Sequence, residues 1–363
     1  MKRGLAGRLE RLWYPGAAGG PAPPAALRFA ATLHGLAVRA RAAAYDRGAL
    51  AARRLPVPCI SVGNLSVGGT GKTPLVAWLV EQFLAAGARP AVVSRGYGGS
   101  ERGPARVPAA GGAAAASRFG DEPALLAAGF PQVPVVVGRD RHAAGMLAVR
   151  AAGATVVVAD DAFQHRRLAR DLDIVVVDAT RGLGNGRLLP AGPLREAPAA
   201  LARAGAVVLN RVGETPGAAE LRRIVTRLAP RALLAESDLE FAGWRAAGGG
   251  ELAELAVGTG VYAFCGIANP DSFRRTLEAR GLRLLGWEVF RDHHPYRELE
   301  LEELARAVRE TGAAAAVTTA KDAVRIPRWP GTAPLYRAEV KLVMIAGREQ
   351  LWEALKPLAA RGG

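Results

Sequence analysis

From Pro58 onward, short apolar runs rich in β-branched residues alternate with stretches of helical periodicity. The strand candidates are 59–62, 91–94, 133–137, 155–159, 174–177 and 206–209. Most are continuous apolar runs, not in–out alternations, as expected of parallel strands buried on both faces. Between the first two, Leu75, Val76, Leu79, Val80 and Phe83 recur on one helical face. The alternation predicts a doubly wound, mainly parallel α/β sheet, in which ligands bind beyond the carboxyl ends of the strands.

Near residue 230 the pattern changes. Extended segments at 232–234 and 239–244 precede a second series, with strands at 261–265, 284–289 and 314–319 and helices at 271–280 and 298–310. This predicts a second, smaller α/β domain. The extended segment 334–344 is expected to pair with 232–244 as a two-stranded connector, and a last helix over 348–360 to return to the first domain. The boundaries read as 1–50, 51–228, 229–346 and 347–363. Residues 100–117, dominated by alanine and glycine, read as a low-complexity mobile loop.

The N-terminal region has no secretory h-region behind Met1-Lys2-Arg3. After a Gly/Pro-rich break, a helix begins near Pro24 with Leu27, Phe29, Leu33, Leu36 and Val38 apolar and Arg28, Arg39, Arg41 and Arg47 charged. It is too short and too charged to span a bilayer. Docking in the plane of a membrane surface and packing on the protein's own core read equally well. His34 within it reads as structural.

The 363 residues suffice for two domains with their own cores, and the net charge of +15 favours acidic partners. No aromatic-interleaved basic patch points to nucleic acid. Only five of the 48 cations are lysines, two of them, Lys72 and Lys321, in motif-like contexts. Where arginine is the default cation, a retained lysine suggests a need for a compact ammonium. Cys59 and Cys265, far apart and inside predicted strands, read as buried free thiols.

The chemistry centres on SVGNLSVGGTGKTP, residues 61–74. Strand, glycine loop, Lys-Thr and helix form the layout of a phosphate-binding loop, whose main-chain N–H groups and helix N-terminus face an anion. Ser66, Val67, Gly68, Gly69, Thr70, Gly71, Lys72 and Thr73 are the candidate nucleotide contacts, with Lys72 on the β- and γ-phosphates and the Thr73 hydroxyl on Mg²⁺. Ser66 stands where the usual pattern has glycine. At the end of a strand, Asp160 and Asp161 form an acidic pair that needs a cation nearby. Asp178 at another strand end reads as structural. Asp121-Glu122-Pro123 is equally an N-cap and a candidate catalytic acid pair. Asp292, His293 and His294 could supply a proton-transfer element from the second domain.

Together, SVGNLSVGGTGKTP, SRGYGG, GDEP, ADDAFQH, LPAGPLRE, FCGIANP, DHHPY and TTAKDAVR occur in an order that resembles the tetraacyldisaccharide 4′-kinase family, the lipid A kinases. Ser66 fits that family's loop, whereas Ala320 stands where an acidic residue is expected. The resemblance implies ATP- and Mg²⁺-dependent phosphorylation of the 4′-hydroxyl of tetraacyldisaccharide 1-phosphate, in lipid A biosynthesis. It also implies a peripheral or monotopic monomer at the cytoplasmic face of the inner membrane. By position, Asp121 is the catalytic base with His293 assisting, and Lys72 and Thr73 take the phosphate and metal. Asp160 and Asp161 form the acidic pair near the metal, Asp160 being its expected ligand, with Glu122 close by. Which carboxylate touches Mg²⁺ directly stays open. Two domains with a strand connector suggest closure over ATP that carries His293 toward Asp121. A GTPase is disfavoured by the lack of N-K-x-D.

Overall fold

A computed structural model of the chain describes residues 2–14, 21–213 and 215–360. The Gly/Pro-rich break after Tyr14 lies partly outside them. The chain forms two compact units, both discontinuous in sequence. The first comprises residues 1–89, 154–238 and 343–363; the second comprises 90–153 and 239–342. The second unit thus takes in residues 90–153, which sequence order had grouped with the phosphate loop.

In the first unit the strands Cys59–Gly63, Val156–Asp160, Leu172–Asp178, Ala206–Asn210 and the start of Leu233–Ala246 pair in parallel. The strand Cys59–Gly63 lies between Val156–Asp160 and Leu172–Asp178. The register sets Val62 beside Asp160, Asp178 beside Asn210, and Asn210 beside Ser237. Polar side chains thus line up at the carboxyl edge, where a parallel sheet leaves room for a ligand. Beneath them lies an apolar cluster with Leu65, Phe163, Val175, Leu194, Leu201 and Val207 fully or almost fully buried. Leu65 and Leu194 belong to the glycine loop and to LPAGPLRE, so the core itself anchors both functional segments. The C-terminal helix Arg348–Ala360 belongs to this unit, with Trp352 edge-on to Phe83 at 5.9 Å.

The helix Ala25–Asp46 buries Ala31 and Gly35, and Arg166 ties its end down through Asp46 at 2.7 Å and the Ala42 carbonyl at 3.1 Å. On its other side Phe29, Leu33 and Leu36 stand 52–68% exposed. One face packs on the protein while an apolar face stays in solvent. No described helix is long and apolar enough to cross a membrane.

In the second unit Pro90–Ser94 pairs in parallel with Val135–Val137, and Ala105–Arg106 runs antiparallel to the latter. Gly260–Cys265 lies between Arg283–Val289 and Ala315–Thr319, and the last pairs with the start of Leu335–Ala346. The strands Leu233–Ala246 and Leu335–Ala346, assigned above to a connector, are the two that run from one unit into the other. Within the second unit, Arg245–Glu339 at 3.1 Å and Lys341–Glu240 at 3.7 Å link them. The expected mobile loop at 100–117 is instead partly ordered: Gly112–Phe119 is helical and buries Ala115, Ala116 and Phe119. Alanine is the best helix former, and its small side chain allows close packing where a larger residue would mark the pattern more plainly.

Core and exposed apolar positions should therefore respond differently. Phe163→Ala is expected to cost about 3–5 kcal/mol, whereas Leu36→Ala should change stability by no more than about 0.5 kcal/mol. Urea denaturation followed by tryptophan fluorescence checks both.

Candidate active site

The first unit builds a phosphate loop. Strand Cys59–Gly63 ends against Phe163, so closely that a Cβ on Gly63 would strike that side chain. Asn64, fully buried, donates from Nδ2 to Thr70 Oγ1 at 3.1 Å and closes the loop across its base. Gly71 (φ 91°) adopts a left-handed conformation just before helix Lys72–Ala85, and a Cβ there would strike Asn210. Asn210 Nδ2 donates to the Thr70 carbonyl at 3.1 Å, and Ser237 Oγ donates to Asn210 Oδ1 at 3.2 Å. Asn210 therefore fixes the loop backbone from below. The helix N-terminus and the exposed main chain of Gly68 and Gly69 provide the setting a phosphate requires.

LPAGPLRE forms a wall of this loop. Val67 N donates to the Pro193 carbonyl at 2.9 Å, Arg195 N to the Leu65 carbonyl at 2.7 Å, and Ser66 bridges Leu194. The pairing delivers Arg195, whose Nη1 donates to both carboxylate oxygens of Asp161 at 2.9 Å. Lys72 Nζ lies 3.5 Å from Asp161 Oδ1. Burial raises the Asp161 carboxyl pKa, but Lys72 and Arg195 outweigh it and hold the group below its ordinary value. Asp160 is buried at the end of its strand. Asp178, also buried, pairs with Arg211 and accepts from Thr180 N at 3.0 Å and Thr180 Oγ1 at 2.7 Å.

The second unit assembles an acid–imidazole pair. Asp121 opens helix Asp121–Gly129 and is 4% exposed. His293 follows strand Arg283–Val289 in a left-handed turn (φ 59°), held by its N–H donating to the Gly266 carbonyl at 3.2 Å. Its Nδ1 sits 3.1 and 2.9 Å from the two Asp121 carboxylate oxygens. Both residues belong to one compact unit, so this contact exists without the closure expected to form it. Tyr97, from SRGYGG, lies edge-on to the His293 ring at 5.6 Å and is 69% exposed.

Two cations complete the cluster. Lys321 Nζ is 3.2 Å from Glu122 Oε1, 3.9 Å from Asp292 Oδ1 and 4.0 Å from Asp121 Oδ2. Arg325 Nε is 3.7 Å from Asp121 Oδ2, and its guanidinium donates to the carbonyls of Lys321, His294 and Gly266 at 3.0–3.2 Å. Arg325 also donates to Asp322 at 2.7 Å, a fully buried carboxylate that accepts from Tyr296 Oη and Gly266 N at 2.9 Å. Burial pushes the Asp322 carboxyl pKa up. At Asp121 burial acts in the same sense, but the His293 hydrogen bond and the charges of Lys321 and Arg325 outweigh it, so the group is held down. His294 instead contacts Glu300 through Nε2 at 3.1 Å.

The candidate residues thus divide between two constellations. Lys72, Thr73, Asp160 and Asp161 lie with the glycine loop in one unit, and Asp121, Glu122 and His293 lie in the other. Arg195, Asn210, Lys321, Arg325 and Asp322 join them without having been named as site residues. Their signals were present: Arg195 lies in LPAGPLRE, Asn210 at a strand end, and Lys321 in TTAKD. Among the described residues no group of three or more His, Cys, Asp or Glu side chains is arranged to hold a metal alone.

The comparisons agree along the chain. The family model described as tetraacyldisaccharide-1-P 4′-kinase matches residues 24–359. A tetraacyldisaccharide 4′-kinase of Anaeromyxobacter sp. (strain Fw109-5) is 42% identical over 98% of this chain and 97% of its own. One from Geobacter metallireducens is 43% identical over 81% of this chain and 86% of its own. The crystal structure of LpxK from Aquifex aeolicus in complex with ATP superposes with a TM-score of 0.71 at 30% identity, covering 90% of this chain and 96% of that one. The chain belongs to the tetraacyldisaccharide-1-P 4′-kinase family.

Proposed function

We propose that this chain, an ATP-dependent kinase of lipid A biosynthesis, phosphorylates the 4′-hydroxyl of a tetraacyldisaccharide 1-phosphate with the residues described above. The observation that carries the assignment of roles is the Asp121–His293 contact at 2.9 Å. Asp121 is buried and ionised, so it is suited to accept the proton of an attacking sugar hydroxyl. His293 orients its carboxylate. In the other unit the glycine loop from Ser66 to Thr73 cradles the phosphates, and Lys72 faces the transferred group. Asp161, engaged by Lys72 and Arg195, holds that ammonium in place. Thr73 and Asp160 are the residues we assign to Mg²⁺, which when bound screens the charge on the β- and γ-phosphates. The loop fits such a group, since the main chain of Gly68 and Gly69 is exposed and the Thr73 hydroxyl lies in the first turn of helix Lys72–Ala85.

We assign the apolar face of helix Ala25–Asp46 to the membrane. An acylated substrate leaves a bilayer at a cost of about 0.8 kcal/mol per methylene, so the enzyme works at the surface that holds it. Phe29, Leu33 and Leu36 are exposed on a helix that also carries Arg28, Arg39 and Arg41 in solvent, the composition of an in-plane helix on an anionic leaflet. The cytoplasmic leaflet of the inner membrane, where ATP is available, is the surface we propose, with the chain acting as a monomer.

Lys72→Ala is expected to lower kcat/KM by more than about 100-fold, measured by mass spectrometry of the phosphorylated disaccharide; full activity would remove the loop from the mechanism. Asp121→Asn should cut kcat by about 10²–10⁴ while leaving ATP affinity intact by calorimetry, and loss of ATP binding alone would contradict the base assignment. Replacing Phe29, Leu33 and Leu36 together by serine should weaken sedimentation with anionic vesicles and leave the fold unchanged by circular dichroism. Unchanged vesicle binding would exclude this face as the anchor.

A further inference from the structure

We infer that Lys321 is a positioning residue that fixes the tautomer of His293, so that the imidazole carries its proton on Nδ1 and donates it to Asp121. The evidence is the second ring nitrogen. His293 Nε2 lies 3.4 Å from Lys321 Nζ. An ammonium has donors and no acceptor, so the nitrogen facing it accepts. With Nε2 accepting, the proton sits on Nδ1, opposite the Asp121 oxygens at 2.9 and 3.1 Å. An imidazolium would instead direct a second N–H at a like charge.

The surroundings bear on the same choice. His293 is faced by the Asp121 carboxylate, the edge of Tyr97, Lys321 and Asp292, whose Oδ2 is 3.8 Å from Nε2. Asp292 favours the charged ring, but its other oxygen is 3.9 Å from Lys321, which competes for it. Glu122 holds the ammonium at 3.2 Å, and Arg325 stands 3.7 Å from Asp121. Lys321 sits on the short helix Ala320–Ala323, with its carbonyl tied by Arg325 at 3.1 Å. A compact ammonium can address Glu122, Asp292 and the ring nitrogen at once; remove it, and nothing on the Nε2 side selects which nitrogen carries the proton. Lys321 thus leaves Nε2 as the acceptor and Nδ1 as the donor to Asp121.

This inference rests on reading Asp121 as the base, and the test separates the two. Imidazole nitrogens of the full-length, ¹⁵N-labelled protein are observed by long-range proton–nitrogen NMR near neutral pH. The chain has only five histidines, and His293→Gln assigns the signal. The wild type is expected to show a neutral His293 with Nδ1 protonated and Nε2 bare. In Lys321→Met that single-tautomer pattern should be lost and kcat fall by roughly tenfold or more, with KM for ATP within about twofold of wild type. Lys321→Arg, which also presents only donors to Nε2, should keep Nδ1 protonated and Nε2 bare, and it carries the test if the methionine variant does not fold, a changed pattern there overturning the inference. A wild-type ring protonated on Nε2, or a methionine variant with pattern and kcat unchanged, overturns the inference. Full activity in Asp121→Asn would remove the base reading while the nitrogen pattern still reports on Lys321.

Discussion

A buried carboxylate persists as an anion only if cations or donors replace the water it has lost. Each of the two constellations is organised around that constraint. Asp161 is held by Lys72 and Arg195, and Asp121 by His293 with Lys321 and Arg325 at 3.7–4.0 Å. In each constellation one lysine and one arginine face the carboxylate together. Arg325 also works as scaffold, because its planar fork reaches three carbonyls and one carboxylate at once. A flexible single-point ammonium could not tie those segments together. The two lysines that stand out in an arginine-rich chain therefore each stand beside a buried or half-buried carboxylate, Lys72 at Asp161 and Lys321 at Asp121.

The backbone shows where that arrangement is demanding. Among the described residues, only Asp161, Arg211 and His293 adopt left-handed φ without being glycine, at 48°, 61° and 59°. Each follows the end of a strand, and each forms an ion pair or acid–imidazole contact with a carboxylate or cation of its own unit. Such conformations cost free energy and persist where surrounding contacts over-determine them. The parallel strands supply rigid ends, and the strained residue after each end turns a side chain back over the sheet edge.

Much of this was legible in the sequence. Runs such as VVVAD and IVVVD specify buried parallel strands, and a glycine loop ending in Lys-Thr before a helix specifies a phosphate site. The helix Gly112–Phe119 was not legible, because an alanine run carries almost no hydrophobic periodicity to read. Nor was the role of Lys321 within its cluster. Its partner Glu122 lies 199 residues away, and no local pattern announces a contact made only when two distant segments enter one unit. The N-terminal helix was ambiguous for a different reason: its apolar residues serve two faces, one covered and one open.

The discontinuity of the second unit has a consequence for synthesis. Asp121 leaves the ribosome 172 residues before His293, and Lys321 follows later still. During that interval the acid has no imidazole or ammonium beside it, so water must solvate it and the pocket around it cannot close. The order of translation therefore separates the making of Asp121 from the completion of its surroundings by more than half of the chain.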